Sequence, residues 1–412
     1  MIDFEQFQLE NGLKVIVHQD NSTPIVAVNI LYDVGARDET PDKTGFAHLF
    51  EHLMFGGSIN IPVYDEPLQM VGGENNAFTS NDITNYYLTL PKNNIETAFW
   101  LESDRMLSLA FTEKSLEVQK NVVIEEFKQR YLNQPYGDVF LLLRPLAYKV
   151  HPYKWPTIGK DISHIENATM DDVKAFFKKY YSPNNAIMVI AGDVETAQIR
   201  DLAEKWFGQI PRGIENKRQL PKEPKQVEPA FLKVERNVPF DAIYKVYHMK
   251  GRRDKEYYTA DLISDILARG NSSRFHIELL KKKKIFSEIN AYVSGDLDDG
   301  LLVISGKVVK GFSVYEAEQA LKDELEKLKQ ENATVHELNK VKNKVESSLV
   351  FSEMSVSNKA MTLAYYELLD EAQMVNMEAD KYMKVTLDDI KQEANSIFAE
   401  NNCSTLFYLA KN

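Results

Sequence analysis

The sequence predicts an α+β fold in two homologous domains, each a mixed or antiparallel sheet with helices packed on it. Three observations carry this. Strand-like and helical apolar periodicities follow one another in mixed order along the chain. A stretch from Pro211 to Pro229, with four prolines and many charges, interrupts them near the middle. And Thr169-Met170-Asp171-Asp172-Val173-Lys174 recurs as Thr386-Leu387-Asp388-Asp389-Ile390-Lys391. Each copy is followed at the same distance by paired asparagines (Asn184-Asn185 and Asn401-Asn402) and then by an apolar strand. Agreement in order, spacing and following strand reads as a duplication. The expected domains are 1–212 and 229–412, joined by a linker at 213–228.

In order, Leu13 to His18 alternates apolar and polar after an Asn11-Gly12 turn signal, and Ile25 to Tyr32 is a β-rich run, so both read as strands. Gly35 to Gly45 is a polar loop. Phe46 to Phe55 reads as a helix stopped by Gly56-Gly57. Pro67 to Val71 is a short helix, and Asn76 to Leu90 reads as paired strands. Helices are expected at Ile95 to Leu109, Lys114 to Tyr131 and Val139 to Ala147. Thr169 is a good N-cap with an acidic first turn behind it, and Ile187 to Ala191 is a buried strand. In the second half, Ala242 to Tyr247 answers to the strand at Ile25. Ala260 to Ala268 answers to the helix at Phe46, without its histidines.

With 412 residues and 44% hydrophobic composition, the chain can bury more than one core. A net charge of −12 argues against general binding to nucleic acid or anionic membranes. No apolar run approaches the roughly 18–20 residues of a membrane span, and the acidic N-terminus lacks a signal-peptide layout. Cys403 stands alone, which rules out an internal disulfide. A soluble cytoplasmic or periplasmic protein is expected.

The densest chemistry lies in His48-Leu49-Phe50-Glu51-His52. On a helix, His48 and His52 lie one turn apart on one face and can share a metal ion. Catalytic zinc takes three protein ligands and keeps one position open. The third ligand must come from elsewhere, and Glu125 and Glu126 are candidates that spacing does not separate. Glu51 would be the general base, taking a proton from a water on the metal.

This inverted zinc motif marks the inverzincins. Here the chain resembles the pitrilysin/insulysin family of zinc metallopeptidases, most closely the two-domain subunits of the mitochondrial-processing-peptidase type. The resemblance rests on Gly35-Ala36-Arg37-Asp38, Gly45-Phe46-Ala47-His48, Asn76-Ala77-Phe78-Thr79-Ser80, Thr84-Asn85-Tyr86-Tyr87, Val122-Val123-Ile124-Glu125-Glu126, Thr157-Ile158-Gly159 and Tyr181-Ser182-Pro183-Asn184-Asn185. It implies one Zn2+ per chain on His48, His52 and Glu126, with Glu51 as base. A supporting glutamate often lies one helical repeat before the ligand. Here that position is Gln119, which keeps hydrogen-bonding capacity without charge. Peptide substrates would add as a strand along Asn76, Ala77 and Phe78.

Active relatives carry an Arg and a Tyr in the C-terminal domain that reach across the chamber to the substrate. Ser273-Arg274-Phe275 matches the start of that pattern, but the Arg position falls on Leu280 and the Tyr position on Phe286. The run Lys281 to Lys284 could offer charge instead. The expectation is a metal-bearing subunit of a heterodimer, with a homologous partner supplying the Arg/Tyr pair and the two chains closing like a clamshell around unfolded peptide. A homodimer using the lysines and a non-catalytic assembly subunit are the alternatives.

Overall fold

A computed structural model describes residues 1–411 and divides them into two compact units. One unit comprises Met1–Lys128, Trp155–Leu220 and Val350–Met377. The other comprises Gln129–Lys154, Pro221–Leu349 and the residues from Glu378 on.

The chain opens with strands β1 (Glu5–Gln8), β2 (Lys14–Gln19) and β3 (Ile25–Tyr32), then helices α1 (Phe46–Leu53) and α2 (Asp65–Met70). The hairpin β4 (Glu74–Thr79) and β5 (Thr84–Pro91) leads into α3 (Ile95–Leu107), α4 (Glu113–Phe127) and α5 (Val139–Ala147). Then come α6 (Ile162–Glu166), α7 (Met170–Tyr180), β6 (Ala186–Gly192) and α8 (Thr196–Phe207). The second half runs β7 (Ala230–Arg236), β8 (Ala242–Met249), α9 (Glu256–Ala268), β9 (Phe286–Val293) and β10 (Gly300–Val308). It ends with α10 (Val314–Gln330), α11 (Val335–Ser352), α12 (Val356–Leu369), α13 (Glu378–Met383), α14 (Leu387–Ile397) and β11 (Cys403–Ala410). Among the described residues, no helix is long and apolar enough to cross a membrane.

The two sheets repeat one topology. The first has the order β1-β2-β6-β3-β5-β4 and the second β7-β11-β8-β10-β9. In both, one pair is parallel (β2 with β6, β7 with β11) and the other equivalent pairs are antiparallel. The duplication extends to single hydrogen bonds. Thr169 and Thr386 cap α7 and α14 in reciprocal boxes with Asp172 and Asp389. Asn185 donates its amide to the carbonyls of Tyr180 and Asp33, and Asn402 does the same to Ile397 and His248. Two buried lysines also match. Lys120 on α4 donates to the carbonyl of Ala168, and Lys342 on α11 to that of Val385. Each accepting carbonyl immediately precedes the capping threonine. Such a lysine satisfies a buried carbonyl that would otherwise lose its hydrogen bond to water.

The linear division at 213–228 needs correction in two segments. Helix α5, from the N-terminal half, belongs to the second unit and buries Val139, Leu143 and Ala147 with Ala242, Val246, Leu301, Val303 and Leu406. Helix α12, from the C-terminal half, belongs to the first and packs on β3 and β6. Its buried Ala360 and Ala364 allow close approach to the strands. Ion pairs of Lys359 with Asp20 and of Lys14 with Glu367 fix it there. The cause is the apolar second face of each sheet, which must be covered by a helix, and here that helix is supplied by the opposite half of the chain. Nor do 213–228 run free. Arg218 binds Asp33 and Asp38 in the first unit, while Glu223 accepts from the backbone N–H groups of Lys149, Val150 and His151 in the second.

Candidate metal centre

The eight residues of α1 divide cleanly between two faces. Phe46, Ala47, Leu49, Phe50 and Leu53 are buried. The Phe50 ring lies against those of Phe111, Phe176, Phe177 and Tyr181. That leaves His48, Glu51 and His52, at spacings of three and four, on the opposite face. The helix begins at Gly45, whose φ of 87° and close approach to the Ile158 carbonyl exclude a side chain: a Cβ would sit 2.6 Å from that oxygen. Buried Glu39 accepts from the N–H groups of Gly45 and Ala47, meeting orphan donors of the first turn. Burial pushes its carboxyl up to about 8, against the pull of those same N–H groups. Gly57, with φ of 91°, turns the chain away after α1, as the Gly56-Gly57 stop signal anticipates.

Helix α4 brings the third donor. Thr112 caps it, and Leu116, Lys120, Val123, Ile124 and Phe127 are buried. The Nε2 atoms of His48 and His52 are 3.3 Å apart, and each is 3.5 and 3.4 Å, respectively, from Oε2 of Glu126. A tetrahedral ion with ligand bonds of about 2.0–2.1 Å separates its donors by about 3.3–3.4 Å. The three atoms therefore fit one zinc ion without rearrangement, and among the described residues they form a group able to hold a metal. Glu125 points elsewhere. It is exposed and pairs with Lys128 at 2.7 Å. Geometry thus distinguishes the two glutamates that spacing left equivalent. Gln119 lies two turns before Glu126 on the same side of α4, half-buried and without a hydrogen-bond partner among the described residues.

Glu51 stands beside the triangle rather than in it. Thr79 donates its hydroxyl to Glu51 Oε2 at 2.5 Å. Burial pushes the Glu51 carboxyl up, while the Thr79 hydroxyl and His52 oppose that shift. Thr79 ends β4, the edge strand of the sheet. Along β4, Glu74, Asn76 and Phe78 are exposed, while Asn75, Ala77 and Thr79 are half-buried. The expected peptide-contact residues are therefore split: Ala77 shares the Thr79 face, and Asn76 and Phe78 line the other. The Ala77 N–H meets Asn76 Oδ1 at 2.8 Å. Period-two alternation along Asn76-Ala77-Phe78-Thr79 pairs Ala77 with Thr79, a signal that could have marked the threonine.

The helices of the second unit that answer to α1 and α4 by sequence carry other residues at these places. At the place of α1, helix α9 reads Asp261-Leu262-Ile263-Ser264-Asp265 where α1 reads His48-Leu49-Phe50-Glu51-His52. With Lys120 matched to Lys342, Glu126 corresponds to Ser348. The donors of the first unit become two carboxylates and a hydroxyl, and the chain answers the carboxylates itself. Tyr382 donates to Asp261 at 2.7 Å and Arg269 to Asp265 at 3.3 Å.

Leu280 is half-buried against the core of the second unit, and Phe286 is 2% exposed within it. Lys281 to Lys284 are exposed, with Lys282 paired to Glu278 and Lys283 to Glu324. Arg274 is committed to a two-point pair with Glu337 at 2.7 and 3.0 Å. The Glu337 carboxyl is held down at about 2: burial would raise it, but Arg274 and the Thr334 N–H outweigh burial. A depressed carboxylate stabilises the fold above its unfolded pKa, near 4.3, and loses that contribution as pH falls toward about 2. Glu337→Gln should therefore lower stability at pH 7 by about 1–2 kcal/mol. The difference from the parent should shrink between about pH 4 and pH 2, as read from urea midpoints across that range.

Two family models match the chain. The model described as insulinase (peptidase family M16) covers residues 14–161, which include His48, Glu51, His52 and Glu126, and that of the peptidase M16 inactive domain covers 167–345. A zinc protease of Helicobacter pylori, PqqE, is 30% identical over 98% of this chain and 92% of its own length. The mitochondrial-processing peptidase subunit beta of Saccharomyces cerevisiae is 29% identical over 50% of this chain and 44% of its own. The crystal structure of a protease from Helicobacter pylori superposes with a TM-score of 0.92 at 28% identity, covering 99% of this chain and 100% of that one. By sequence and by fold, this chain belongs to peptidase family M16, the insulinase family.

Proposed function

We propose that this chain is a zinc-dependent endopeptidase that cleaves peptides or unfolded segments and acts as the metal-bearing subunit of a heterodimer. The observation that carries the reading is the triangle of His48, His52 and Glu126, with edges of 3.3–3.5 Å and the Glu51 carboxylate beside it. His48, His52 and Glu126 would hold the zinc ion, which would supply positive charge toward a water molecule and the scissile carbonyl. Glu51 takes the proton of the attacking water and returns it to the leaving amine. Strand β4 offers its free edge to an extended peptide, so main-chain hydrogen bonds align the substrate beside α1. A folded protein has few such free strands, which restricts substrates to peptides and unfolded segments.

The homologous partner would contribute the Arg and Tyr for which this chain has Leu280 and Phe286. A homodimer is the second reading, with the exposed lysines of 281–284 as substitutes. A non-catalytic assembly role is the third, and the complete donor set weighs against it. With one cysteine, the chain depends on no disulfide and suits cytoplasm or periplasm alike.

The test is metal content. About one zinc per chain is expected by elemental analysis, with Glu126→Gln binding at least tenfold more weakly because the third donor loses its charge. A parent chain that binds no zinc would remove the peptidase reading.

A further inference from the structure

Thr79 joins the two halves of the site. Its backbone belongs to the edge strand, and its hydroxyl donates to Glu51. The hairpin end that carries it is rigidly held. Thr79 pairs across the ladder with Thr84, whose hydroxyl donates to the Val34 carbonyl. The turn closes through the Ser80 N–H to the Ile83 carbonyl, and the Ser80 hydroxyl accepts from the N–H groups of Asp82 and Ile83. The segment after β3 clamps it from outside: the Ala36 N–H donates to Ser80, the Arg37 N–H to Asn81, and the Arg37 guanidinium pairs with Asp82 at 3.0 Å. A hydroxyl on so fixed a backbone is a fixed donor. It occupies one oxygen of Glu51 and leaves the other to handle the proton.

We propose that Thr79 is a positioning residue for the base, setting the rotation of the Glu51 carboxylate relative to a peptide laid along β4. This rests on the peptidase reading above and deepens it. The threonine stays a hydrogen-bond donor throughout and carries no proton in the reaction. Because its backbone lies in the strand that receives the substrate, base and scissile bond are indexed to the same hairpin. Small errors in such indexing are costly, since general-base catalysis needs the carboxylate within hydrogen-bond reach of the water it deprotonates.

Thr79→Val keeps the β-branched shape and removes the hydroxyl, while Thr79→Ser keeps the hydroxyl. In the zinc-loaded chain, assayed with whichever partner the parent needs, the valine variant should lose about 10–100-fold in kcat with KM within twofold. The serine variant should stay within about threefold of the parent. Zinc content should be unchanged in both. In a Glu51→Gln background, Thr79→Val should cause no further loss of rate, and affinity for an uncleaved peptide should be unaltered. Thr79→Ala reads the same split if the valine variant fails to fold. Parent-like kcat in the valine or alanine variant overturns the proposal. So does equal loss in valine and serine variants, or a rise in KM at constant kcat, because each assigns Thr79 to the strand rather than to the base. If Glu51→Gln itself cleaves normally, the base assignment fails. If Glu51→Gln is inactive while Thr79→Val is normal, only the positioning role is lost.

Discussion

Replacing Glu51 with Gln is expected to leave zinc bound and to lower peptide cleavage by about 10²–10⁴-fold, the usual contribution of a positioned general base. The two halves of that expectation have separate causes. Zinc retention follows from geometry: the donor triangle is His48, His52 and Glu126, and Glu51 lies beside it. A glutamine has the same shape, and its amide oxygen can still accept from Thr79, so α1 and β4 keep their contact. Loss of rate follows from chemistry, since an amide cannot take a proton near neutral pH. Elemental analysis and steady-state kinetics on one preparation decide both points. Retained cleavage would remove Glu51 from the mechanism. Loss of zinc would mean that the carboxylate supports the metal, for which the present distances give no reason.

Much of this was legible in the sequence because it follows local rules. β3 and α5 have the bounds their apolar patterns announce, and the capping boxes at Thr169 and Thr386 are visible as residue types. The two histidines share a face for any helix at that place. What escaped depends on partners distant in sequence. Nothing in the sequence around Lys120 and Lys342 marks them for burial, which the carbonyls of Ala168 and Val385 explain. The amphipathic patterns of α5 and α12 announce a buried face without naming the sheet that buries it, so the exchange between halves stayed hidden. Asp261 and Asp265 carry no local signal, since α9 has no histidine beside them and their partners Tyr382 and Arg269 lie outside the helix. Thr79 was in view within a family motif, yet a hydroxyl in a strand has no special meaning until a carboxylate faces it.

The other large effect should come from adding a second chain. The purified chain alone is expected to cleave peptides slowly, and a homologous chain carrying the Arg/Tyr pair is expected to raise kcat by about 10²–10³-fold. That is the range for a donor that stabilises developing oxyanion charge. The reason lies in what occupies the two positions here. Phe286 has no donor, and its ring fills space over Gly306, where even a Cβ would come within 2.7 Å of it. Leu280 packs on the same core. Arg274 cannot substitute, since both its contacts go to Glu337. The exposed run at 281–284 is the substitute the homodimer would use, and there Lys282 and Lys283 already have acidic neighbours. Kinetics of the chain alone, of the reconstituted pair, and of a pair whose partner has lost its Arg and Tyr separate the readings. Full activity without a partner would sink the heterodimer. If replacing the four lysines with glutamine then abolished that activity, the homodimer would stand in its place.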